Sequence, residues 1–260
     1  MAVNTLQNDL AIQLRKLHVP GNPIVFTNVY DAATALIVAK NTATKAIATA
    51  SYAIAATQGV SEDRMTFAQN LASVRSIAAT LSVNGLPKLP LSVDVEDGYD
   101  IPETITEIVK LGAVGCNIED ANKSTGDLRP SQEAVSRIEL ALKQARELGV
   151  PDFVVNARTD VLGYGGSVED AIERGKAFLN AGACTVFVWG PGGRGTSTEE
   201  IKQLVAAFDG RLNVKLVLKG GYLTIPELRE IGVARISMGP ELYRAAMRAF
   251  EETANELLRH

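Results

Sequence analysis

The stretch Leu91-Ser92-Val93-Asp94-Val95-Glu96-Asp97-Gly98-Tyr99 decides how the chain is interpreted, because a short apolar run after Pro90 ends in three acids within four residues. The apolar run predicts a buried strand. Side chains alternate between the two faces of a strand, so we expect Asp94 and Glu96 on one face and Asp97 on the other. Two carboxylates in one small space repel each other unless a cation lies between them, and oxygen ligands suit Mg²⁺ or Mn²⁺. The stretch therefore predicts either a metal site or a strand that runs into a solvated acidic turn.

The composition is that of an ordinary globular protein. The chain has 260 residues, of which 46% are hydrophobic and 22% are charged, and its formal net charge is -4. This balance provides no basic surface for nucleic acid or for an anionic membrane. No apolar run approaches membrane-spanning length, and the first nine residues lack the basic and apolar parts of a signal peptide. We therefore expect a cytoplasmic protein without nucleic-acid or membrane partners.

Strand and helix patterns alternate eight times along the chain, after an N-terminal helix at 4–16. The predicted strands are 24–29, 45–49, 91–94, 115–118, 153–157, 184–188, 213–218 and 234–237. The predicted helices that follow them are 32–39, 66–81, 102–111, 131–148, 168–181, 198–208, 225–230 and 241–258, with a glycine-rich segment at 190–193. This alternation, without a linker, predicts one α/β domain over residues 1–260, a (β/α)8 TIM-type barrel. A doubly wound open sheet is the alternative, but no glycine-rich dinucleotide loop follows the first strand.

Barrel enzymes carry their active sites at the C-terminal ends of the strands. The residues predicted at these ends are mostly polar: Tyr30, Asp31, Ser51, Tyr52, Asp94, Glu96, Glu119, Asp120, Arg158, Asp160, Trp189, Gly190 and Ser237. Several acids thus surround one arginine at the face where barrels perform chemistry. We expect these side chains to form the active site.

Metal and anion binding are the roles that these residue types favour. Asp94 and Glu96 are the first metal candidates, and Glu119 is the third unless it pairs with Arg158 or a lysine. The guanidinium of Arg158 can hold a carboxylate or phosphonate at two points, or it can form an internal salt bridge with a nearby acid. The backbone amides of Ser51 and Tyr52, at the end of a strand, are candidates to bind an oxyanion.

Other candidates have less specific signals. Tyr30 and Asp31 either orient the substrate or cap the following helix. A proton relay could be Asp97, Asp120 or a carboxylate of the 61–63 loop, where Glu62 is the candidate. That loop and the segment 122–128 are candidate lids. Three further residues are candidate substrate-binding groups: Asn156, Trp189 and Gly190.

Histidine chemistry is not expected. The two histidines, His18 and His260, are not at the C-terminal end of any predicted strand. Zinc sites, histidine acid-base catalysis and a Ser-His-Asp triad therefore have no candidate residues. The predicted site consists of a metal, carboxylates and an arginine.

The run Asp94-Val-Glu-Asp-Gly-Tyr99 resembles the D-x-[DE]-x-G-Y metal motif of the isocitrate lyase / phosphoenolpyruvate mutase superfamily. The segments Tyr30-Asp31-Ala32, 117–120, 156–160 and 237–244 fall in that family's order, and the resemblance runs from about residue 23 to 250. Within that superfamily, the chain resembles the carboxyphosphonoenolpyruvate phosphonomutase-like subgroup.

The resemblance implies a magnesium-dependent barrel that assembles as a homo-oligomer, a dimer or a tetramer, in which dimers exchange the last helix. It implies a small 2-oxo or 2-hydroxy acid substrate and cleavage or formation of a C–C or P–C bond through a pyruvate-like enolate. By motif match, Asp94, Glu96 and Glu119 would hold the metal. Arg158 would steady the substrate, and the amides of Ser51 and Tyr52 would hold a carboxylate.

The chain differs from well-known members of the superfamily in a loop that bears on the substrate. It lacks the Lys-Lys-Cys-Gly-His loop of isocitrate and methylisocitrate lyases, which argues against isocitrate cleavage. We therefore expect a magnesium-dependent lyase that cleaves a C–C bond in an oxaloacetate-like or substituted malate-like acid through a metal-stabilised enolate. One alternative is P–C chemistry, as in a phosphonopyruvate hydrolase or a phosphoenolpyruvate mutase. Another is a barrel that binds a dicarboxylate without turnover.

Overall fold

The computed structural model describes residues 3–83, 85–190 and 195–259, so residues 191–193 of the glycine-rich segment and His260 lie outside the described residues. Within these ranges, eight parallel strands form one sheet in the order β1-β8-β7-β6-β5-β4-β3-β2. The strands are β1 (Ile24–Phe26), β2 (Ile47–Ala48), β3 (Leu91–Asp94), β4 (Gly115–Glu119), β5 (Val154–Thr159), β6 (Thr185–Val188), β7 (Leu212–Lys215) and β8 (Arg235–Ser237). A parallel bridge between Val29 and Thr49 brings the two ends of the sheet together. The fold is a (β/α)8 barrel, as predicted.

Helices follow the strands around the outside of the barrel, after an N-terminal helix α1 (Thr5–Lys16). They are α2 (Ala32–Lys40), α3 (Ser51–Thr57), α4 (Phe67–Leu81), α5 (Ile101–Lys110), α6 (Ser131–Glu147), α7 (Val168–Asn180), α8 (Thr198–Ala207), α9 (Ile225–Ile231) and α10 (Glu241–Leu257). Helices α4, α7, α8 and α9 begin with capping boxes, in which a Ser or Thr and an acid or amide three residues later satisfy the first free amides. None of the described helices is long and apolar enough to cross a membrane.

Two of the differences from the prediction have identifiable reasons. The first strand ends at Phe26 because the side chain of Asn28 replaces the backbone ladder. Its Nδ2 donates to the Thr49 carbonyl, and its Oδ1 accepts from the amides of Met238 and Gly239. The alanine-rich segment from Ser51 to Thr57 forms α3 where a loop was expected, in keeping with the helix preference of alanine.

The two faces of the strands have opposite chemistry. Outward residues such as Val93, Ile118 and Val155 pack with the helices in the main hydrophobic core. Inward residues of five strands are polar instead: Ser92, Asp94, Asn117, Glu119, Asn156, Arg158, Asn213, Lys215, Arg235 and Ser237. The inside of most barrels of this type is filled by branched apolar side chains. Here the apolar core is concentrated between sheet and helices, which leaves a polar interior for a site.

His18, just after α1, makes stability depend on pH. Its Nδ1 lies 2.8 Å from the Leu14 carbonyl oxygen, and its Nε2 is buried without a partner. Burial, and to a lesser degree the charge of Arg235, lowers the pKa of His18 to about 3. In the unfolded chain this residue binds a proton near pH 6.5. The contribution of neutral His18 to the free energy of unfolding is therefore complete above that pH and is lost as the pH falls toward 3.

We predict that His18→Gln, which is neutral at every pH, reduces the acid sensitivity of folding. Between pH 7.5 and 5.0 the wild-type protein should lose about 2 kcal/mol more free energy of unfolding than the variant. Urea denaturation of both proteins at the two pH values measures the difference. Equal losses in the two proteins would show that folding does not lower the pKa of His18.

Candidate active site

A cavity of about 260 Å³ opens at the C-terminal ends of the strands and reaches into the barrel. It is lined by inward residues of the strands and by the segments that follow them. Seven of the predicted site residues line it: Ser51, Tyr52, Glu62, Asp94, Arg158, Trp189 and Ser237. The predicted location of the site, at the strand ends, is therefore where the structure has its polar cavity.

Asp94, the last residue of β3, is oriented by a row of hydrogen bonds across four strands. Its Oδ1 accepts from Asn117 Nδ2 at 3.0 Å, Asn117 Oδ1 accepts from Asn156 Nδ2 at 2.7 Å, and Asn156 Oδ1 accepts from the Thr185 hydroxyl at 2.6 Å. These four residues are direct neighbours in the register of β3, β4, β5 and β6. We call them the polar row. Asn156 is completely buried in it and does not line the cavity, so it supports Asp94 where substrate contact was predicted.

Ser51 binds the other oxygen of Asp94. Asp94 Oδ2 accepts from the Ser51 amide at 3.1 Å and lies 2.8 Å from the Ser51 hydroxyl, which is also 2.6 Å from Glu62 Oε1. In this structure the Ser51 amide, predicted as a candidate to bind a substrate oxyanion, donates to Asp94 instead. Tyr52 reaches the cavity through its ring, which lies 5.0 Å from the Arg244 guanidinium.

Glu62 is placed to hold a proton. A hydroxyl has one hydrogen, so Ser51 can donate to only one of the two carboxyl groups that it contacts, and a second proton is needed for both contacts to be hydrogen bonds. Burial is the largest effect on Glu62 and raises its pKa, and the charge of Asp94 raises it further against the hydrogen bond from Ser51. These effects favour Glu62 as the protonated member of the pair.

Glu96 lies beside the cavity, and it is not among the described residues that line it. The chain leaves the strand after Asp94, and Glu96 has a left-handed backbone with φ of 53°, so the alternation that predicted one common face does not extend to it. Its carboxylate accepts from Lys123 Nζ at 2.7 and 2.8 Å and from the Tyr99 hydroxyl. Burial raises the pKa of Glu96 to about 8, although Lys123 acts to lower it.

Lys123 also connects the two segments that were predicted as lids. Its Nζ donates to the carbonyl of Met65 at 2.6 Å, next to the 3-10 turn Glu62–Arg64. Its backbone amide donates to Asp97 Oδ2 at 3.2 Å, and Arg129 pairs with the same oxygen at 2.9 Å. Asp97 thus anchors the 122–128 segment and is not among the described residues that line the cavity.

Arg158 and Glu119 form the ion pair that was predicted as the alternative role of each. Arg158 Nη1 lies 2.9 Å from Glu119 Oε2, while its Nη2 and Nε donate to Asp160 Oδ1 at 2.6 and 3.0 Å. The guanidinium also lies 5.0 Å from the Trp189 ring. Burial raises the pKa of Glu119 well above its usual range, and Arg158 opposes that shift. Arg158 is therefore fixed from several sides at the wall of the cavity.

Three further predicted residues, like Asn156, Glu96 and Glu119, are not among those that line the cavity. Asp31 caps α2 by accepting from the Thr34 amide at 2.7 Å and from the Thr34 hydroxyl at 2.8 Å. Tyr30 is buried and packs edge-on against Tyr243, with ring centroids 5.3 Å apart. Gly190 borders a neighbouring cavity. The structure thus shows Asp31 in its predicted capping role, and Trp189, which precedes Gly190, lines both cavities.

The acids of the site fit a hydrated cation better than a closely ligated one. Among the described residues, no group of three or more His, Cys, Asp or Glu is arranged to hold a metal ion. The charge of Asp94 nevertheless raises the pKa of Glu62, Glu96 and Glu119, so these buried acids share one region of negative potential. Mg²⁺ keeps several of its waters and binds few carboxylates directly, so this donor set suits it.

Sequence reasoning missed several residues that line the cavity: Asn117, Asn213, Lys215, Arg235 and Arg244. Lys215 and Arg244 both pair with Glu241, at 3.4 and 3.3 Å. The four on strands, Asn117, Asn213, Lys215 and Arg235, were detectable from the alternation of side chains along a strand. Each of them lies two residues from another polar inward residue. Arg244, on α10, left no such signal.

The fold and the site define a (β/α)8 barrel whose strand ends carry buried acids around an arginine. The chain belongs to the phosphoenolpyruvate phosphomutase family, whose model matches residues 14–258. The family's known members include lyases and mutases, among them 2-methylisocitrate lyase from Escherichia coli, which is 30% identical over 183 residues covering 65% of this chain and 59% of that protein. The uncharacterized protein Rv1998c of Mycobacterium tuberculosis is 32% identical over 92% of this chain and 86% of its own.

Solved structures agree with this assignment. A "putative phosphonomutase" from Burkholderia cenocepacia J2315 is 35% identical, with a TM-score of 0.84 over 96% of this chain and 99% of that one. Oxaloacetate acetylhydrolase bound to its product oxalate is 25% identical, with a TM-score of 0.84 over 97% and 88%. A 2,3-dimethylmalate lyase of the PEP mutase/isocitrate lyase superfamily is 25% identical, with a TM-score of 0.82 over 96% and 87%.

We predict that breaking the polar row destabilises the protein. Asn156→Leu keeps most of the side-chain volume but leaves Asn117 Oδ1 and the Thr185 hydroxyl without their partners in a region closed to water. The free energy of unfolding should fall by about 2 kcal/mol, since a buried unsatisfied polar group costs roughly 1 to 3 kcal/mol. Thr185→Val, which breaks one bond at the end of the row, is the matched control and should cost about half as much. Urea denaturation measures both, and an unchanged Asn156→Leu would contradict the structural role of the row.

Proposed function

We propose that the chain is a magnesium-dependent lyase, with Mn²⁺ as a possible substitute, that cleaves a C–C bond in a small 2-oxo or 2-hydroxy dicarboxylic acid. The observation that carries the proposal is one polar cavity bounded by the oriented carboxylate of Asp94, the guanidinium of Arg158 and the buried acid Glu62. The similarity to oxaloacetate acetylhydrolase and 2,3-dimethylmalate lyase supports a substrate of this size and charge.

Asp94 is the residue that would hold the metal, with Glu96 and Glu119 contributing through water. It is the carboxylate of the three that is bound only by neutral donors, Ser51 and Asn117, among the described residues. When bound, Mg²⁺ supplies positive charge next to the substrate oxygens where negative charge develops. The polar row and Ser51 fix the direction in which Asp94 presents its oxygens.

Arg158 would orient the substrate. A guanidinium has five N–H groups, and the contacts with Glu119 and Asp160 use three of them. The remaining N–H groups are available to an anionic group at the cavity wall. Because the two acids and Trp189 hold the guanidinium in place, it is positioned before the substrate arrives, which lowers the entropic cost of binding.

Glu62 would donate the proton that the reaction requires. Cleavage of the C–C bond leaves a carbon that must take up a proton, and burial keeps Glu62 protonated at a higher pH than an exposed glutamate. Ser51, 2.6 Å from Glu62, connects it to Asp94. Lys123, which joins the segments around Met65 and Glu96, would help to close the site against water during this step.

A second candidate function is P–C bond chemistry on a phosphonate. The match to the phosphoenolpyruvate phosphomutase model and the 35% identity to the structure from Burkholderia cenocepacia favour it. The same Arg158 and Asp94 would serve, since a guanidinium binds phosphonate as well as carboxylate. Only the choice of substrate separates the two chemistries.

We predict that the purified protein with Mg²⁺ turns over a carboxylic acid from a panel of oxaloacetate, 2,3-dimethylmalate, methylisocitrate and phosphonopyruvate. Asp94→Asn should lower kcat/KM by about 10²-fold to 10³-fold, because it removes a charge without changing the shape of the site. Asp209→Asn, an exposed residue after α8 at the opposite end of the barrel, is the matched control and should leave activity unchanged. Turnover of phosphonopyruvate alone would favour P–C chemistry, and no turnover of any panel member would contradict both enzyme proposals.

We further propose that α10 mediates assembly with other copies of the chain. Its residues Tyr243, Met247, Phe250, Ala254 and Leu257 are spaced alternately by four and three, which places them on one face of the helix. No residue of α10 is buried, and Phe250 and Leu257 are 71% and 70% exposed. An apolar stripe of this kind is covered in most soluble proteins, and a second copy of α10 provides a matching stripe.

The assembly prediction is that Phe250→Asp reduces the mass of the particle. Light scattering after size exclusion should give a multiple of 27.7 kDa for the wild-type protein and a smaller multiple, or 27.7 kDa itself, for the variant. Arg248→Asp, exposed on the same helix but outside the apolar stripe, is the control and should not change the mass. A wild-type mass of 27.7 kDa would contradict the proposal.

A further inference from the structure

Arg235 is an internal cation at the active-site cavity. It is the first residue of β8, two residues deeper in the barrel than Ser237, and it is only 3% exposed. Its side chain lines the cavity together with the neutral polar residues Ser92, Asn213 and Ser237. The alternation of the strand directs Arg235 and Ser237 to the same side, so both face the interior.

The charge of Arg235 has no ionic partner in the described part of the chain. Its Nε donates to the Ser237 hydroxyl at 3.3 Å, and its Nη1 is buried without any hydrogen-bond partner. The other cations of the cavity are paired: Arg158 with Glu119 and Asp160, and Lys215 and Arg244 with Glu241. Arg235 therefore differs from them in having donors that no acid among the described residues satisfies.

An unpaired buried charge opposes folding, so its presence calls for a physical reason. The Phe26 ring, 4.3 Å from the guanidinium carbon, stabilises one face of the cation but cannot accept from the edge where Nη1 lies. Burial lowers the pKa of Arg235 to about 10, which still leaves it charged at neutral pH. An anion in the cavity would satisfy this charge.

We propose that Arg235 binds an anionic group of the substrate deep in the cavity, while the reacting end of the substrate lies between Arg158 and Asp94. The inference rests on the proposed function for the identity of the reacting end. It adds the residue that recognises the second carboxylate of that acid, and it predicts that dicarboxylates bind more tightly than monocarboxylates because of Arg235. A ligand without that group leaves the guanidinium buried and unpaired, which is how a polar site rejects an incomplete ligand.

The test compares two ligands that differ in this group. 3,3-Difluorooxaloacetate, an inhibitor of the similar oxaloacetate acetylhydrolase, has the 2-oxo acid end and a second carboxylate, whereas pyruvate has only the 2-oxo acid end. Calorimetry with Mg²⁺ present should give tighter binding of the dicarboxylate to the wild-type protein. In Arg235→Met this preference should fall by about tenfold or more, while the affinity for pyruvate stays within about twofold.

Two further measurements separate binding from structure. Arg235→Lys keeps the positive charge and should retain part of the preference. In the absence of ligand, Arg235→Met should melt at the wild-type temperature or above it, because it removes an unpaired buried charge. Loss of affinity for both ligands alike, an unchanged preference, or a lower melting temperature with the preference intact would overturn the proposal.

Failure of the inference can be told apart from failure of the proposed function. A preference for the dicarboxylate that Arg235→Met abolishes, in a protein without turnover of any panel acid, would contradict the lyase and support the anion site. Turnover that depends on Asp94, with a dicarboxylate preference unaffected by Arg235→Met, would support the lyase and overturn the role of Arg235.

Discussion

The polar row from Asp94 to Thr185 is the constraint on which the rest of the site depends. Parallel strands in matched register place side chains side by side, so one polar residue on each of four strands can satisfy its neighbour. A buried polar layer is tolerated only when its members are hydrogen-bonded, as they are here. The row leaves Asp94 one direction in which to present its carboxylate, and Ser51 and Glu62 are arranged on the free side of that group.

A polar interior also divides the cavity by charge. The acids that line it, Glu62 and Asp94, follow β2 and end β3, whereas Lys215 and Arg235 belong to β7 and β8. In the closed barrel, β7 lies opposite β3, with β4 to β6 between them on one side and β8, β1 and β2 on the other, so Asp94 and Lys215 come from opposite sides of the barrel. Arg158, on β5, lies between them. The cavity is thus suited to a ligand with two different ends, one bound together with a metal cation and the other carrying a negative charge.

The sequence allowed the barrel and the location of the site to be predicted because both depend on local patterns. Eight strand and helix periods specify the fold, and polar residues after apolar strands indicate the active face. The pairing of Lys123 with Glu96 could not be predicted, since it joins residues 27 apart through a left-handed backbone at Glu96. Arg235 was detectable in principle, because strand alternation pairs it with Ser237, but it begins its strand and so lies deeper than the strand ends suggest.

The ion pairs of the site explain why its acids and cations occur together. Lys123 satisfies Glu96 and Arg158 satisfies Glu119, so two of the three acids of the metal motif already have cations from the chain. Within the described residues, Asp94 has only neutral donors, and Arg235 has no acid within ion-pair distance. If these two residues paired with each other, the cavity would be electrostatically complete and would gain little from a ligand. Their separation leaves one carboxylate in need of a cation and one guanidinium in need of an anion, which is the demand that a divalent metal and a dicarboxylate meet together.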